Sequence, residues 1–300
     1  MWCYVSKHQN DSHLSIARPL SVDLIVEDPD GNAVLVSLYN FPGLFQATPG
    51  ALDAQFPVGL ILAIREPYFK VPSIGNDAFI RVDSPSDIIL VNSSDPLAQG
   101  VVWQSIRNVA IDFSDDAERC KALGNKYFKE GYLIPAALAW TRGMKANPSL
   151  YTLWLNRSQA YMRLEWFSAA VKDAMHVLTL PDLPVAMTSK ALYRAACAQY
   201  GLGHYTEALK LFQDVHEDTE TWKARCQCRL LEAATGDYNW VQMFDDGQKA
   251  VPKVDVAEFV GPIEVFPVPH RGGGRGVRAT RNILNGELLV RCLVAILSRP

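Results

Sequence analysis

Short runs of apolar residues interrupted by polar ones predict β-strands near the start of the chain. Val22–Val26 is one such run, the stretch EDPDGN follows it at positions 27–32, and Ala33–Tyr39 resumes the apolar pattern. An Asp-Gly pair between two β-branched runs is typical of a hairpin, because glycine adopts the backbone conformation that the turn requires. We therefore expect these two runs to pair as a β-hairpin.

Further short apolar runs follow at Gly59–Ile64, Ala78–Val82 and Asp87–Val91, separated by Pro, Gly and Ser clusters. Since no helical pattern lies between them, the runs predict a small β-barrel or sandwich over residues 20–105, after an N-terminal tail at 1–19. We see no combination of acid, histidine and nucleophile in this region. We therefore interpret it as a structural or docking module.

From Asp115 onward the apolar spacing becomes helical, and it repeats. The first copy contains Gly124–Tyr132 and Ala136–Leu138, the second Trp154–Arg157 and Phe167–Ala170, and the third Leu192–Ala196 and Gly203–Leu209. Two helices per copy, with small residues where helices cross and large apolar residues between them, resemble the tetratricopeptide (TPR) pattern.

The first two copies are in register at 34 residues, and a short insertion with Pro181 and Pro184 displaces the third. Three repeats are about the minimum that buries a continuous core. Residues 115–250 are therefore predicted to form a TPR solenoid, in which Thr221–Asp246 is a capping helical segment with a turn at Gly236–Tyr238.

Composition and charge narrow the possible functions. The formal net charge of -3 argues against broad binding to nucleic acid or anionic membranes. The six cysteines are scattered, and only Cys226 and Cys228 lie close together, so we expect no metal site and reduced thiols in a cytoplasmic or nuclear protein. No apolar signal segment begins the chain, and the longest apolar run, Leu288–Leu297, is interrupted by Arg291 and too short to span a bilayer.

Five polar residues in the predicted repeats suggest a binding site. Lys121 and Asn125 lie four apart in the first copy, Asn156 lies in the second, and Lys190 and Arg194 lie four apart in the third. This set resembles the carboxylate clamp of TPR domains that hold chaperone C-termini ending in Glu-Glu-Val-Asp. The resemblance implies charge-assisted hydrogen bonds from these side chains to the carboxylates of a peptide terminus.

Two alternatives to the clamp remain open at this stage. Gly-Asn and Asn-Arg pairs are common in such repeats, and Lys and Arg are frequent on solvated helix faces. The insertion before Lys190 could also tilt the third repeat and spoil the geometry.

The glycine-rich stretch Arg271–Cys292 has four interpretations. A phosphate-binding loop would need a lysine after the glycines, and none follows. A dinucleotide fingerprint would place a third glycine after Gly272 and Gly274, but Val277 occupies that position. An RNA-binding RGG segment would be longer, whereas here the glycines lead into two apolar runs around an Asn-Gly turn.

The fourth interpretation is a family resemblance. Gly274–Ile283 followed by Gly286–Leu289 is similar to the opening hairpin of SET-domain lysine methyltransferases, which reads G-x-G, an apolar or aromatic residue, A-T, then I-x-x-G-E. The order of a β-rich segment, TPR repeats and this hairpin resembles fungal-type TPR-and-SET proteins, relatives of the SET-and-MYND group. The implied fold class is α+β and multidomain, and residues 251–300 would be a linker and the first part of a SET domain.

The resemblance implies a cofactor and a substrate. Gly274, Arg275 and Gly276 would lie against S-adenosylmethionine through their backbone, and the substrate would be a lysine of a histone or another protein. SET enzymes also use an Asn-His stretch and a later Tyr, and no Asn-His pair occurs in this sequence. We therefore expect a truncated chain without catalytic activity.

Two simpler interpretations remain open: the glycines form only a turn before a hairpin, or the whole chain is a non-catalytic TPR scaffold or co-chaperone.

Overall fold

The computed structural model describes residues 2–5, 15–17, 21–42, 47–65, 67–71, 78–91, 101, 116–249, 254–268 and 274–291. The chain divides into two compact units, residues 1–198 and 199–300. The first contains a β-sheet and most of the helical repeats, and the second contains the last helices and two small β-ribbons. The arginine and glycines at 271–273, and residues 292–300 of the last apolar run, lie outside the described residues.

The sheet of the first unit has eight strands: β1 (Trp2–Val5), β2 (Ser15–Ala17), β3 (Ser21–Glu27), β4 (Ala33–Tyr39), β5 (Ile61–Ile64), β6 (Tyr68–Lys70), β7 (Phe79–Val82) and β8 (Ile88–Val91). Their order is β6-β7-β4-β3-β1-β5-β8, and β2 also pairs with β3. The predicted hairpin is confirmed, since β3 and β4 pair antiparallel from Ser21↔Tyr39 to Glu27↔Ala33. Gly31 in its turn has a φ of 83°, as the Asp-Gly signal requires.

The structure differs from the sequence-based prediction at three points. Strands β1 and β2 lie where an N-terminal tail was predicted, and β1 is an inner strand between β3 and β5. A helix, α1 (Pro49–Gln55), interrupts the strands, because the Thr48 hydroxyl caps its first turn and Leu52 is buried beneath it. The described strands form one sheet whose path ends at β6 and β8, so the predicted barrel or sandwich is not confirmed.

The helical region contains α2 (Ala117–Lys129), α3 (Leu133–Ala146), α4 (Tyr151–Arg163), α5 (Phe167–Val177), α6 (Val185–Gly201), α7 (Tyr205–Gln213), α8 (Glu220–Thr235) and α9 (Trp240–Gly247). The helices α2, α4 and α6 begin at residues 117, 151 and 185, each 34 residues after the one before. The pairs α2–α3 and α4–α5 are the first two predicted repeats. A turn residue with positive φ ends the first helix of each pair: Gly131, Glu165 and Gly203.

The displaced third copy has a longer first helix. Helix α6 has 17 residues, whereas α4 has 13. The extra residues lie at the start of α6, directly after Pro184, whose carbonyl accepts hydrogen bonds from the Met187 and Thr188 amides. The predicted insertion therefore lies in the loop before α6 and in its first turn.

The repeats pack through small residues, as the pattern predicts. Gly124 of α2 lies against the indole of Trp140 on α3, and a Cβ on Gly124 would come within 2.4 Å of the indole nitrogen. Gly143 of α3 similarly lies against Cys120 and Leu153. The glycines allow neighbouring helices to approach closely.

The β-sheet and the first two repeats share one apolar core. Leu24, Leu52 and Phe56 of the sheet region belong to the same buried cluster as Ile134 and Trp166 of the repeats. The Gln55 side chain also accepts a hydrogen bond from the Ile134 amide at 3.4 Å. The first unit is therefore held together by side chains from both regions.

The second unit links its helices to the ribbons through buried polar contacts. Helix α8 ends at Gly236, which has a φ of 70°, and the predicted turn there separates α8 from α9. The Glu232 carboxylate accepts from the Ala257 amide at 2.9 Å, and the Tyr238 hydroxyl donates to the Ala257 carbonyl at 2.8 Å. These bonds fix the segment that leads into the ribbons.

The two ribbons are β9 (Phe259–Val260) paired with β12 (Val290–Arg291), and β10 (Ile263–Val268) paired with β11 (Gly274–Ala279). Because β11 pairs with β10 and β12 pairs with β9, the two runs predicted after the glycines do not pair with each other as one hairpin. Within the described part of the chain, no helix combines the length and hydropathy needed to cross a membrane.

Candidate functional site

The five predicted clamp residues lie on the first helices of the three repeats. Lys121 and Asn125 are on α2, Asn156 is on α4, and Lys190 and Arg194 are on α6. The Asn156 side-chain amide donates to Asn125 Oδ1 at 3.0 Å, although the two residues are 31 positions apart. The structure therefore brings the two asparagines into direct contact.

Arg194 is buried between repeats. It is 9% exposed, and its Nη1 donates a hydrogen bond to the Leu155 carbonyl, next to Asn156 in the chain. Burial lowers the pKa of Arg194 to about 10. Arg194 therefore contacts the backbone next to Asn156, and its guanidinium retains donors beyond the one that bonds Leu155.

Lys190 lies one turn before Arg194 and is exposed. Partial burial first, and the neighbouring Arg194 charge second, lower the pKa of Lys190. Among the described residues, neither Lys190 nor Arg194 has a carboxylate partner. Two like charges on one helix face without an acid favour an anionic ligand.

Lys121 has an acidic neighbour on its own helix. Its ammonium forms an ion pair with Glu118, one turn earlier on α2, and its carbonyl accepts from the Trp140 indole at 3.4 Å. Because Glu118 is largely exposed, this ion pair is weak and can exchange for a ligand carboxylate.

Arg157, next to Asn156, has a different environment. Its Nε and Nη2 bond both carboxylate oxygens of Asp173 at 2.7 and 2.6 Å, and its Nη1 donates to Thr141 Oγ1 at 2.8 Å. Burial acts to lower its pKa, but the Tyr161 and Asp173 charges outweigh it and raise the pKa. Arg157 is therefore a structural residue that joins α3, α4 and α5.

The residues predicted to contact a cofactor lie on β11. Gly274, Arg275 and Gly276 are opposite Val268, Pro267 and Phe266 of β10. They are not among the residues that line the cleft described for this unit.

That cleft lies between the end of α8, the start of α9 and the ribbons, and has a volume of about 760 Å³. Its wall includes Asp237, Trp240, Phe259, Arg281 and Glu287. Sequence reasoning missed it, although the apolar residues of the short segment at 240–244 were a usable signal. No group of three or more metal-ligating side chains occurs among the residues that the structure describes.

Successive helix pairs whose first helices begin every 34 residues, with small residues at the helix crossings, define a TPR-type protein. No protein-family model matches the chain. A Gibberella zeae protein named methyltransferase is 30% identical over 281 residues, which cover 91% of this chain and 37% of that protein. RNA polymerase II-associated protein 3 of Rattus norvegicus is 28% identical over 65% of this chain and 28% of its own length. The chain thus spans well under half the length of these relatives.

Solved TPR structures also resemble part of the chain. The first TPR domain of the human RPAP3 protein is 31% identical, covers 37% of this chain and 87% of that structure, and has a TM-score of 0.33. The first TPR of Spaghetti (RPAP3), bound to HSP90 peptide SRMEEVD, is 30% identical, covers 39% of this chain and 93% of that structure, and also has a TM-score of 0.33.

Proposed function

We infer that this chain is a peptide-binding TPR module that holds the C-terminal carboxylates of acidic peptides, such as chaperone tails ending in Glu-Glu-Val-Asp. The observation that carries the proposal is the pair Lys190 and Arg194, two cations on one helix face without an acidic partner in the described part of the chain. Asn125 and Asn156 bond each other, and Arg194 bonds the carbonyl of Leu155, the residue before Asn156.

The chemistry of these groups matches a peptide terminus. A C-terminal aspartate presents two carboxylates close together, and several charge-assisted donors are needed to replace their water. Lys190, Arg194 and Lys121 supply charged donors, while the asparagine amides supply neutral ones. The hydrogen bond between Asn125 and Asn156 fixes their orientation before a ligand arrives, which lowers the entropic cost of binding.

Fluorescence anisotropy with a labelled peptide ending in Glu-Glu-Val-Asp tests the proposal. We expect the C-terminal amide of the same peptide to bind at least tenfold more weakly, because it removes a charge that the clamp recognises. Lys190→Ala and Asn125→Ala should each weaken binding about tenfold. Lys126→Ala changes an exposed lysine on the same α2 and serves as the matched control.

Equal affinity for the acid and the amide would contradict the clamp. So would a loss of affinity in Lys126→Ala as large as that in Lys190→Ala, because the attraction would then be a general effect of surface charge.

A second candidate is that the chain forms part of an S-adenosylmethionine-dependent protein lysine methyltransferase. Two observations favour it: the methyltransferase-named relative is similar over 91% of this chain, and the G-x-G and Gly-Glu-Leu residues match the SET opening. The described residues fit only one part of such a site. Gly274 and Gly276 offer backbone without side chains on β11, but they do not line the cleft described for this unit. We therefore derive no methyl-transfer step.

Isothermal titration calorimetry with S-adenosylmethionine tests this second candidate separately from the first. If Gly276 lies against the cofactor, Gly276→Val should abolish any binding, whereas Val277→Thr, at an exposed position on the same strand, should not. If Gly276→Val binds the cofactor as the parent does, the proposed contact is contradicted. The proposal of peptide binding would still stand, because it does not depend on Gly276.

A further inference from the structure

Helix α9 of the second unit exposes its apolar side chains. Trp240 is 55% exposed, Val241 74% and Phe244 67%, and no residue of α9 is buried. Helices of folded proteins usually turn such residues toward a core. A cluster of large apolar side chains in solvent is typical of an interaction site.

The exposed residues form one continuous face. At about 100° per residue, Trp240, Phe244, Val241 and Asp245 fall in this order within an arc of about 140°. Gln242 and Asp246 lie on the other side, where their side chains bond each other at 3.0 Å. The apolar face therefore has an acidic border at Asp245.

The other border of this face is the cleft of about 760 Å³. The Trp240 side chain belongs to the cleft wall together with Asp237, and it meets the Tyr238 ring edge-on at 5.5 Å. Arg281, the cation of the wall, is neutralised by its ion pair with Glu287. An aromatic face next to a carboxylate suits a cation.

Within the described part of the chain, no cation compensates two carboxylates at this site. Both Asp237 and Asp245 are exposed, and neither side chain has a hydrogen-bond or ion-pair partner among the described residues. The acidic residue Asp246, by contrast, is paired with Lys249 at 2.6 Å. The site therefore combines apolar area with unpaired negative charge.

We propose that the α9 surface, formed by Asp237, Trp240, Val241, Phe244 and Asp245, binds a partner protein segment in which a lysine or arginine adjoins apolar side chains. The cation lies in the cleft against the Trp240 ring and the Asp237 carboxylate, and the apolar side chains cover Val241 and Phe244. This site lies apart in sequence from the five clamp residues and prefers the opposite charge.

The charge also decides against two other occupants. Anionic lipid headgroups would be repelled by Asp237 and Asp245. A second copy of the chain related by twofold symmetry would present the same surface, whose unpaired charges are also carboxylates, and so would supply no free cation for Asp237 and Asp245. A basic and apolar segment meets neither penalty.

The probe is a fluorescein-labelled peptide of leucine and lysine, with leucine at helical i, i+3 and i+4 spacing, and its analogue carries glutamate in place of lysine. We expect the complete chain to bind the lysine peptide at least tenfold more tightly than the glutamate peptide. Trp240→Ser and Phe244→Ser should each weaken binding about tenfold, as central apolar contacts do. Asp237→Asn should weaken it about threefold and reduce its dependence on salt.

Val185→Ser is the matched control, because Val185 on α6 is 66% exposed and outside the site. Circular dichroism checks that the surface variants remain folded. Equal binding of the two peptides, no detectable binding of the lysine peptide, or equal effects of Val185→Ser and Phe244→Ser would overturn the proposal.

Two further measurements test the other occupants without a peptide. Sedimentation velocity that finds a dimer lost in Phe244→Ser would assign the surface to a second copy. Binding to phosphatidylserine vesicles that is lost in Trp240→Ser would assign it to a membrane. Either result would contradict the proposal, and neither involves the clamp residues.

Discussion

At the scale of single residues, two largely buried arginines differ in whether an acidic side chain of the protein pairs with them. Arg157 satisfies its guanidinium with both oxygens of Asp173 and with Thr141. Arg194 is buried as well, but its described partner is a neutral carbonyl, that of Leu155. A buried charge without a counterion costs stability, so Arg194 is consistent with the proposed binding of a carboxylate that would supply one.

Arg194→Met should therefore separate stability from binding. Methionine has a similar length and no charge to desolvate, so we expect the free energy of unfolding to stay within about 1 kcal/mol of the parent, or to rise. Binding of the Glu-Glu-Val-Asp peptide should fall below detection. Urea denaturation and anisotropy measure the two effects, and a loss of stability above about 3 kcal/mol would mean that Arg194 is a structural residue.

The contact between Gly124 and Trp140 gives a second prediction. Gly124→Ala places a methyl group where the indole lies, so the indole must move and we expect a loss of about 1–3 kcal/mol in unfolding free energy. Gly50→Ala is the control, because nothing lies within 4 Å of the added carbon and alanine favours the helix. Equal melting temperatures for the two variants would contradict the packing described for α2 and α3.

The sequence alone indicates the five residues of the proposed clamp and their spacing but not their surroundings. Lys190 and Arg194 were recognisable as a pair because four residues return to the same helix face. The bond between Asn125 and Asn156 and the burial of Arg194 depend on the neighbouring helix, which no local pattern specifies.

At the scale of elements, the turn inside each repeat requires a left-handed residue. Gly131 and Gly203 have φ values of 85° and 79°, and Glu165 occupies the corresponding position in the second repeat with a φ of 58°. A residue with a Cβ is strained in this region by about 1–2 kcal/mol. The second repeat is therefore the one with a strained turn.

Glu165→Gly should stabilise the first unit by up to about 1 kcal/mol, because the relief of strain exceeds the entropy that glycine adds to the unfolded chain. Gly131→Ala should destabilise it by a similar amount, although nothing lies within 4 Å of the added carbon. Differential scanning calorimetry compares the two. A lower melting temperature for Glu165→Gly would mean that the glutamate side chain contributes more than its backbone costs.

The elements that the sequence predicted are those with a strong local signal. The β3–β4 hairpin has an Asp-Gly turn, and the helices have apolar spacing that persists over several turns. Helix α1 was missed, because it is only seven residues long and its signal is a Thr-Pro cap with one buried leucine, Leu52. Strands β1 and β2 were missed because their position in the sheet depends on distant partners.

At the scale of the whole molecule, the sequence predicts a β-rich region and a helical region as separate domains, but one buried core contains residues of both. Gln55 and Ile134 are 79 residues apart and share a hydrogen bond, and the buried cluster around them contains residues from both regions. Contacts of this range cannot be read from periodicity, since periodicity describes only neighbours along the chain.

Leu24→Ala tests whether this shared core couples the two regions. Leu24 is fully buried in the sheet, so its truncation should cost about 2–5 kcal/mol. We expect hydrogen exchange to accelerate in α3 as well as in β3 and β4, because all three belong to one cooperative unit. Leu231→Ala, at an exposed position on α8, should change neither, and unchanged exchange in α3 of Leu24→Ala would mean that the regions unfold independently.

The longer helix α6 has a consequence for how these repeats can vary. Its four additional residues amount to about one helical turn and lie at its start, before Lys190 and Arg194. Arg194 therefore still precedes its turn residue, Gly203, by the same nine positions as Asn156 precedes Glu165. An insertion of two residues between Lys190 and Arg194 would instead rotate one side chain by about 200° relative to the other, so that the two cations would no longer share one helix face. Residues can therefore be added before the proposed clamp positions without moving them relative to their turn residue. Within the clamp segment, only insertions of nearly whole turns would keep the side chains on one face.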